Sequence, residues 1–167
     1  MILDKINSPA DLKKLSVSEL PTVAQEIREG LFNRLTKIGG HFGPNFGFVE
    51  ATIALHYVFD SPKDKFVFDV SHQSYAHKML TGRKAGYLDE SRFAEDSGYT
   101  NPDESEHDFF NIGHTSTSIA LALGLAKGRD VLGKKENIVA IIGDGSLSGG
   151  EAMEALSVAG SELNSNF

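Results

Sequence analysis

Two short apolar runs constrain this chain more than anything else in it. FVFDV, residues 66–70, and IVAII, residues 138–142, each stop abruptly in polar or glycine-rich sequence: SHQ after the first, GDG after the second. Runs of this length bounded by turn residues read as buried strands. Segments of helical character surround them. Residues 22–37 open at Pro21 and carry Val23, Ile27, Leu31, Leu35 and Ile38 on one stripe. FVEATIALHYVF, 48–59, is apolar nearly all round and is expected to be buried; Ser61-Pro62 breaks it. Further helices are expected over 71–82, over 115–127 and from about 149. Residues 83–108 are polar and irregular. The alternation predicts an α/β fold, a mainly parallel sheet flanked by helices. Residues 1–38 read as an N-terminal helical segment packing on an α/β domain over 39–167.

In such sheets ligands sit beyond the carboxyl ends of the strands. Three unusual stretches lie there or at helix starts: SHQ, GHTSTS and GDG. They are expected to converge on one crevice. In GDG the glycines permit a sharp turn and close approach of a ligand to the backbone, and Asp144 projects past the strand. A lone carboxylate there suits a hard cation such as Mg²⁺, or simply an Asx-turn. GHTSTS places four hydroxyls, Thr115 to Ser118, at a helix start. Helix amides plus hydroxyls can hold an anion, or the hydroxyls can serve as ordinary caps. Ser148 and Glu151 have the spacing of a capping box, ahead of a packing face of Ala152, Ala155, Leu156 and Ala159.

Charge and composition narrow the function. The formal charge is −7 and no Lys/Arg block stands out, which argues against nucleic acid or an anionic membrane as partner. A small anion held by amides and a metal stays open. Cysteine is absent, so disulfides and thiolate metal sites are excluded, and a cytoplasmic setting is expected. MILDKINSPADLKKL has no secretory apolar stretch, and no run is long enough to span a bilayer. Of the six histidines, His41, His72 and His114 fall in turns or at element ends. His56 reads as a core histidine and His77 as structural; His107 carries no assignment. No HxxxH or HExxH pattern supports zinc.

Taken together, GGHFGPNFGFVEATIALHYVFDSP, DVSHQSYAHKMLTGR, ESEHDFFNIGHTSTSIALALG and IGDGSLSGGEAMEAL resemble the N-terminal part of the 1-deoxy-D-xylulose-5-phosphate synthases. These are thiamine diphosphate enzymes related to transketolase, and the order of motifs matches over essentially the whole chain. The resemblance implies condensation of pyruvate with glyceraldehyde 3-phosphate and loss of CO2, feeding isoprenoid and thiamine biosynthesis. It implies thiamine diphosphate and Mg²⁺ as cofactors, and a homodimer is expected. Asp144 matches the metal-binding aspartate. Gly145 and Ser146 match diphosphate contacts beside it. Gly113, His114 and Thr115 match the cofactor-binding stretch, and His72 the cofactor-contacting histidine. His41 matches the histidine of GGH, which acts on the substrate.

Some residues depart from that pattern. Ser71 stands where the family usually has glycine, His107 where it has tyrosine, and Ser146 and Glu151 where alanine and methionine are commoner. The stretch 95–103, EDSGYTNPD, also differs. A transketolase-like enzyme acting on another sugar phosphate, or a non-catalytic phosphate-binding module, is the alternative. The family's metal motif is completed by an asparagine pair further along; Asn164 and Asn166 come too early to be that pair. The chain is therefore expected to be a fragment that supplies the diphosphate and metal half-site and is inactive alone.

Overall fold

The computed structural model describes residues 1–162 and 165–167; Asn164, weighed above as a metal ligand, lies outside them. The chain divides into two units.

The first unit comprises residues 1–60 and 72–98. Its helices are α1 (Pro9–Leu12), α2 (Leu20–Ile38), α3 (Phe42–Phe46), α4 (Val49–Val58), α5 (Tyr75–Lys78) and α6 (Ala85–Leu88). Helix α2 follows a turn fixed by Glu19, whose carboxylate accepts the Ser16 amide and hydroxyl. Pro21 then sits in its first turn, where a missing N–H costs nothing. Val23, Ile27, Leu31 and Leu35 are buried as the spacing predicts, and they join Leu12, Ile53, Met79 and Tyr87 in one core. Ile38 departs from the expectation and is 52% exposed, because the helix ends there in a turn through Gly39 and Gly40, both at positive φ.

Helix α4 is not buried all round. Val49, Thr52, Ile53 and His56 face the core, while Ala51, Ala54 and Val58 face solvent. Small apolar residues on an outer face cost little, so apolar composition did not specify burial. His56 does lie in the core, its Nε2 paired with His77 Nδ1 at 2.9 Å. The helix expected over 71–82 shrinks to α5 and a π-type turn over Met79–Arg83, with Gly82 at φ +96°. The polar stretch that follows is anchored to α2. Arg34, 4% exposed, donates to the Phe93 carbonyl at 2.9 Å and to that of Asp96 at 3.2 Å. Its guanidinium stacks 4.4 Å from the Tyr87 ring centre, so a buried cation is satisfied on three sides.

The second unit comprises residues 61–71 and 99–167. It holds β1 (Lys65–Phe68), α7 (Ser118–Val131), β2 (Ile138–Ile141) and α8 (Gly150–Glu162). The strands pair in parallel, Lys65 opposite Ile138 through Phe68 opposite Ile141, and they are the sheet's two strands among the described residues. The fold class is thus α/β with a small parallel sheet. Asp64 pins the entry, its Oδ1 accepting the Asn137 amide at 2.7 Å and side chain at 3.0 Å. Ala122 and Ala126 of α7 pack on Val67 and Ile138. Ala152 and Ala155 of α8 pack on Ile119, small residues letting the helices approach closely. Leu156, expected on that face, is 44% exposed.

Two local expectations change here. Helix α7 begins at Ser118, three residues later than predicted, because Ser116 takes a left-handed conformation (φ +72°). Helix α8 begins at Gly150, so Ser148 stands too far back to cap it; its hydroxyl donates to the Gly145 carbonyl at 2.7 Å instead. Among the described residues, no helix is long and apolar enough to cross a membrane.

Candidate functional site

The residue that follows strand β1 is an aspartate that the apolar pattern concealed. Asp69 is 1% exposed and extends the ladder, its amide donating to the Ile141 carbonyl at 2.7 Å. Its carboxylate turns to the start of α7, accepting the amides of Ser116 at 3.0 Å and Ser118 at 2.9 Å. Burial pushes the Asp69 carboxyl up, but the Ser118 amide, the Ser146 hydroxyl and the Ser116 amide outweigh it, and the group lies below its ordinary range. A negative charge at a helix N-terminus also meets the positive end of the helix dipole.

This corrects part of the sequence expectation. The amides of Ser116 and Ser118 do not await a bound anion, because the chain's own carboxylate occupies them. Sequence reasoning missed Asp69 because it lies inside an apolar run, ahead of Val70; a lone carboxylate within such a run was the available signal.

The residues in front of Asp69 remain exposed. Gly113, His114 and Thr115 lie on the surface of one loop, and Asp144 and Gly145 on the surface of the other. The two loops are tied together by the Ser116 hydroxyl, which donates to the Ser146 carbonyl at 2.6 Å. A Cβ at Gly149 would collide with that same hydroxyl, so only glycine allows the approach. Within this unit the structure therefore joins GHTSTS to GDG. His114 Nδ1 hydrogen-bonds the Thr115 carbonyl at 2.7 Å, and Thr117 donates to the His114 carbonyl at 3.2 Å, which keeps the loop tight.

Asp144 makes a local bond, its Oδ1 accepting the Gly145 amide at 2.9 Å. Nothing lies within 4 Å of where a Cβ would stand on Gly113, Gly143 or Gly145, so the backbone is open to a ligand. Among the described residues no three His, Cys, Asp or Glu side chains gather as a metal cluster. A lone exposed carboxylate beside open backbone fits a cation of the Mg²⁺ kind, which binds through one or two carboxylates, water and phosphate oxygens. It does not fit an all-protein metal cage.

Strand β1 runs straight into a strained turn. Val70 (φ +58°) and Ser71 (φ +70°) are both left-handed, a conformation costly for a β-branched residue. The Ser71 hydroxyl donates to the Ile112 carbonyl at 2.8 Å and accepts the Thr100 amide at 3.0 Å. Both ends of the polar stretch 100–112 are thereby fastened to the strand end, just before Gly113.

In the first unit, His41 and His72 are brought together. Their rings meet edge to face with centres 5.3 Å apart, and His41 lies 6.4 Å from the Tyr75 ring. The turn that delivers His41 needs glycine at position 40. Its φ is +133°, and a Cβ would stand 2.5 Å from Leu35 Cδ2 and 3.1 Å from the Tyr75 hydroxyl.

A parallel strand–helix–strand unit with polar loops past its carboxyl ends is the arrangement of the open α/β folds, the class in which that edge is the usual place for a ligand. Comparison with known proteins makes this specific. Residues 3–167 match the family described as 1-deoxy-D-xylulose-5-phosphate synthase, and the chain belongs to that family. It is 52% identical over 160 residues to the 1-deoxy-D-xylulose-5-phosphate synthase of Dictyoglomus thermophilum, covering 96% of this chain and 26% of the relative. Against that of Dehalococcoides mccartyi strain CBDB1 it is 53% identical over 166 residues, covering 99% and 26%. For Brevibacillus brevis the values are 51% over 162 residues, 97% and 26%. The chain spans about a quarter of the length of the curated relatives it matches.

Proposed function

We propose that this chain supplies the diphosphate and metal half-site of a thiamine diphosphate- and Mg²⁺-dependent transferase. That enzyme condenses pyruvate with glyceraldehyde 3-phosphate to 1-deoxy-D-xylulose 5-phosphate and releases CO2. The observation that carries the reading is the Ser116–Ser146 bond, which ties the two motif loops into one exposed, glycine-lined surface carrying Asp144. Family membership over nearly the whole chain supports it. The cofactor, when bound, stabilises the carbanion that decarboxylation of pyruvate leaves.

The chain's own residues do the holding. Asp144 offers the cation a carboxylate oxygen. Gly145, Gly113 and Thr115 offer backbone approach and a hydroxyl to diphosphate oxygens. His114 stands beside them, and the Ser146 hydroxyl contributes through Asp69 and the loop it braces. Asp69 keeps α7 anchored while the surface residues stay available. For His72, in the first unit, the family resemblance implies a contact to the cofactor. His41, whose ring meets that of His72 edge to face, moves a proton at the substrate. The enzyme is read as a cytoplasmic homodimer serving isoprenoid and thiamine biosynthesis, with neither nucleic acid nor membrane as partner.

Calorimetric titration of thiamine diphosphate, with and without Mg²⁺, tests the reading on a protein carrying the full length of the relatives. Binding that needs the cation and is lost in Asp144→Ala is the expected result. Equal affinity for wild type and Asp144→Ala would remove the metal assignment. CO2 release from pyruvate that depends on glyceraldehyde 3-phosphate separates this reaction from transfer out of a ketose phosphate.

A further inference from the structure

His41 and His72 share one buried neighbour in the first unit, Asn45. Asn45 lies in α3 and is 1% exposed. Its side-chain amide reaches three separate backbone groups. Nδ2 donates to the His41 carbonyl at 2.7 Å and to the His72 carbonyl at 2.8 Å. Oδ1 accepts the Tyr75 amide, at the start of α5, at 2.9 Å. The carboxamide has two hydrogens and one acceptor oxygen, and all are committed. Aspartate has the shape without the hydrogens, and leucine has neither donor nor acceptor. Glutamine has the chemistry on an arm one carbon too long.

The consequence is geometric. His41 precedes α3 and His72 precedes α5, at places far apart in sequence. Each is half-buried. With both carbonyls drawn to one nitrogen, the two Cα positions are fixed relative to each other, and the rings meet edge to face at 5.3 Å. Misplacing reacting groups by about 1 Å can cost on the order of 10²-fold in rate, so a residue that sets such a spacing affects chemistry without touching it.

We propose that Asn45 is a positioning residue, holding the His41–His72 pair in register through their backbone carbonyls. Its bearing on catalysis rests on the roles given to the two histidines above. The structural part is tested on the chain itself by NMR. An Overhauser contact between the His41 and His72 ring protons is expected in the wild type, with resonances assigned through His41→Gln and His72→Gln. Asn45→Asp keeps the acceptor and removes both hydrogens. Asn45→Ser adds no charge and retains one donor that cannot span both carbonyls. In both variants the ring contact should vanish while the methyl resonances of Ile27, Leu31 and Ile53 stay in place. In the longer protein, turnover should fall about 10²-fold with little change in KM for pyruvate.

A folded variant that keeps the ring contact overturns the positioning role, whatever its turnover. Collapse of the core in both variants makes Asn45 a folding residue and also overturns it. Loss of the ring contact with turnover unchanged upholds the positioning and removes the functional roles of the histidines instead.

Discussion

The Asp69 carboxylate accepts the backbone amide of Ser118 at 2.9 Å, joining the end of a strand to the start of a helix. With the Ser116 amide on its other oxygen, one buried side chain decides where α7 begins and which amides remain for a ligand. Asp69→Asn removes the charge and points hydrogens at an amide. Hydrogen bonds to a charged group contribute roughly 1.5–3 kcal/mol, so the variant should lose about 2–4 kcal/mol in denaturant unfolding. An unchanged midpoint would show that the pair is incidental.

The same carboxylate gives a pH dependence. Its folded pKa lies below its unfolded value, so ionisation favours the folded state. Its contribution is full above the unfolded carboxylate pKa and is lost as pH falls through the lower, folded one. Wild type should therefore lose more stability than Asp69→Asn between neutral pH and the acid side of the carboxylate range. Parallel curves for the two proteins would contradict the assignment.

Ser71→Gly sets two effects against each other. Glycine relieves the left-handed backbone at φ +70°, worth about 1–2 kcal/mol. It also deletes a hydroxyl bonded to the Thr100 amide and the Ile112 carbonyl, leaving a buried amide unpaired at about 1–3 kcal/mol. Global stability should move by less than about 1 kcal/mol as the two offset. Hydrogen exchange at Thr100 should nevertheless accelerate clearly, and slow exchange there in the variant would refute the fastening.

Gly40→Ala tests the turn before His41. The added carbon meets Leu35 and Tyr75 at a φ that L-residues rarely adopt. Overpacking of this kind costs roughly 1–3 kcal/mol, and the variant should lose stability together with the His41–His72 ring contact. Glu151→Ala is the counterpart. Because Ser148 does not cap α8, this exposed substitution should cost no more than the helix-dipole share of a first-turn carboxylate, about 0.3–1 kcal/mol.

In the longer protein, His41→Gln should lower turnover by roughly 10²–10⁴ while thiamine diphosphate affinity stays near wild type. Steady-state kinetics alongside calorimetry checks both halves. Weakened cofactor binding with normal turnover at saturation would exchange the roles of His41 and His72.

Patterns local to a few residues were legible from the start. The stripe Val23–Ile27–Leu31–Leu35 needs only the helical period and a core to face. The strands FVF and IVAI need only apolar length and abrupt ends. The family-specific motifs were legible because each is a short run of unusual residues whose order survives without coordinates. Burial of α4 on one face, and the exposure of Ile38 and Leu156, were not legible, because each depends on which neighbour another part of the chain provides.

The sequence by itself determined the α/β class, the helix stripe, the glycine turns and the family. Those follow from backbone sterics, apolar periodicity and residue order, all written along the chain. Only the tertiary structure decided that Asp69 and not a ligand takes the Ser116 and Ser118 amides, that Ser71 fastens the polar stretch, and that Asn45 spans His41, His72 and Tyr75. Each of these joins groups up to several dozen residues apart. Hydrogen bonds depend on distances within a few tenths of an ångström, and such distances exist only once the intervening chain has folded.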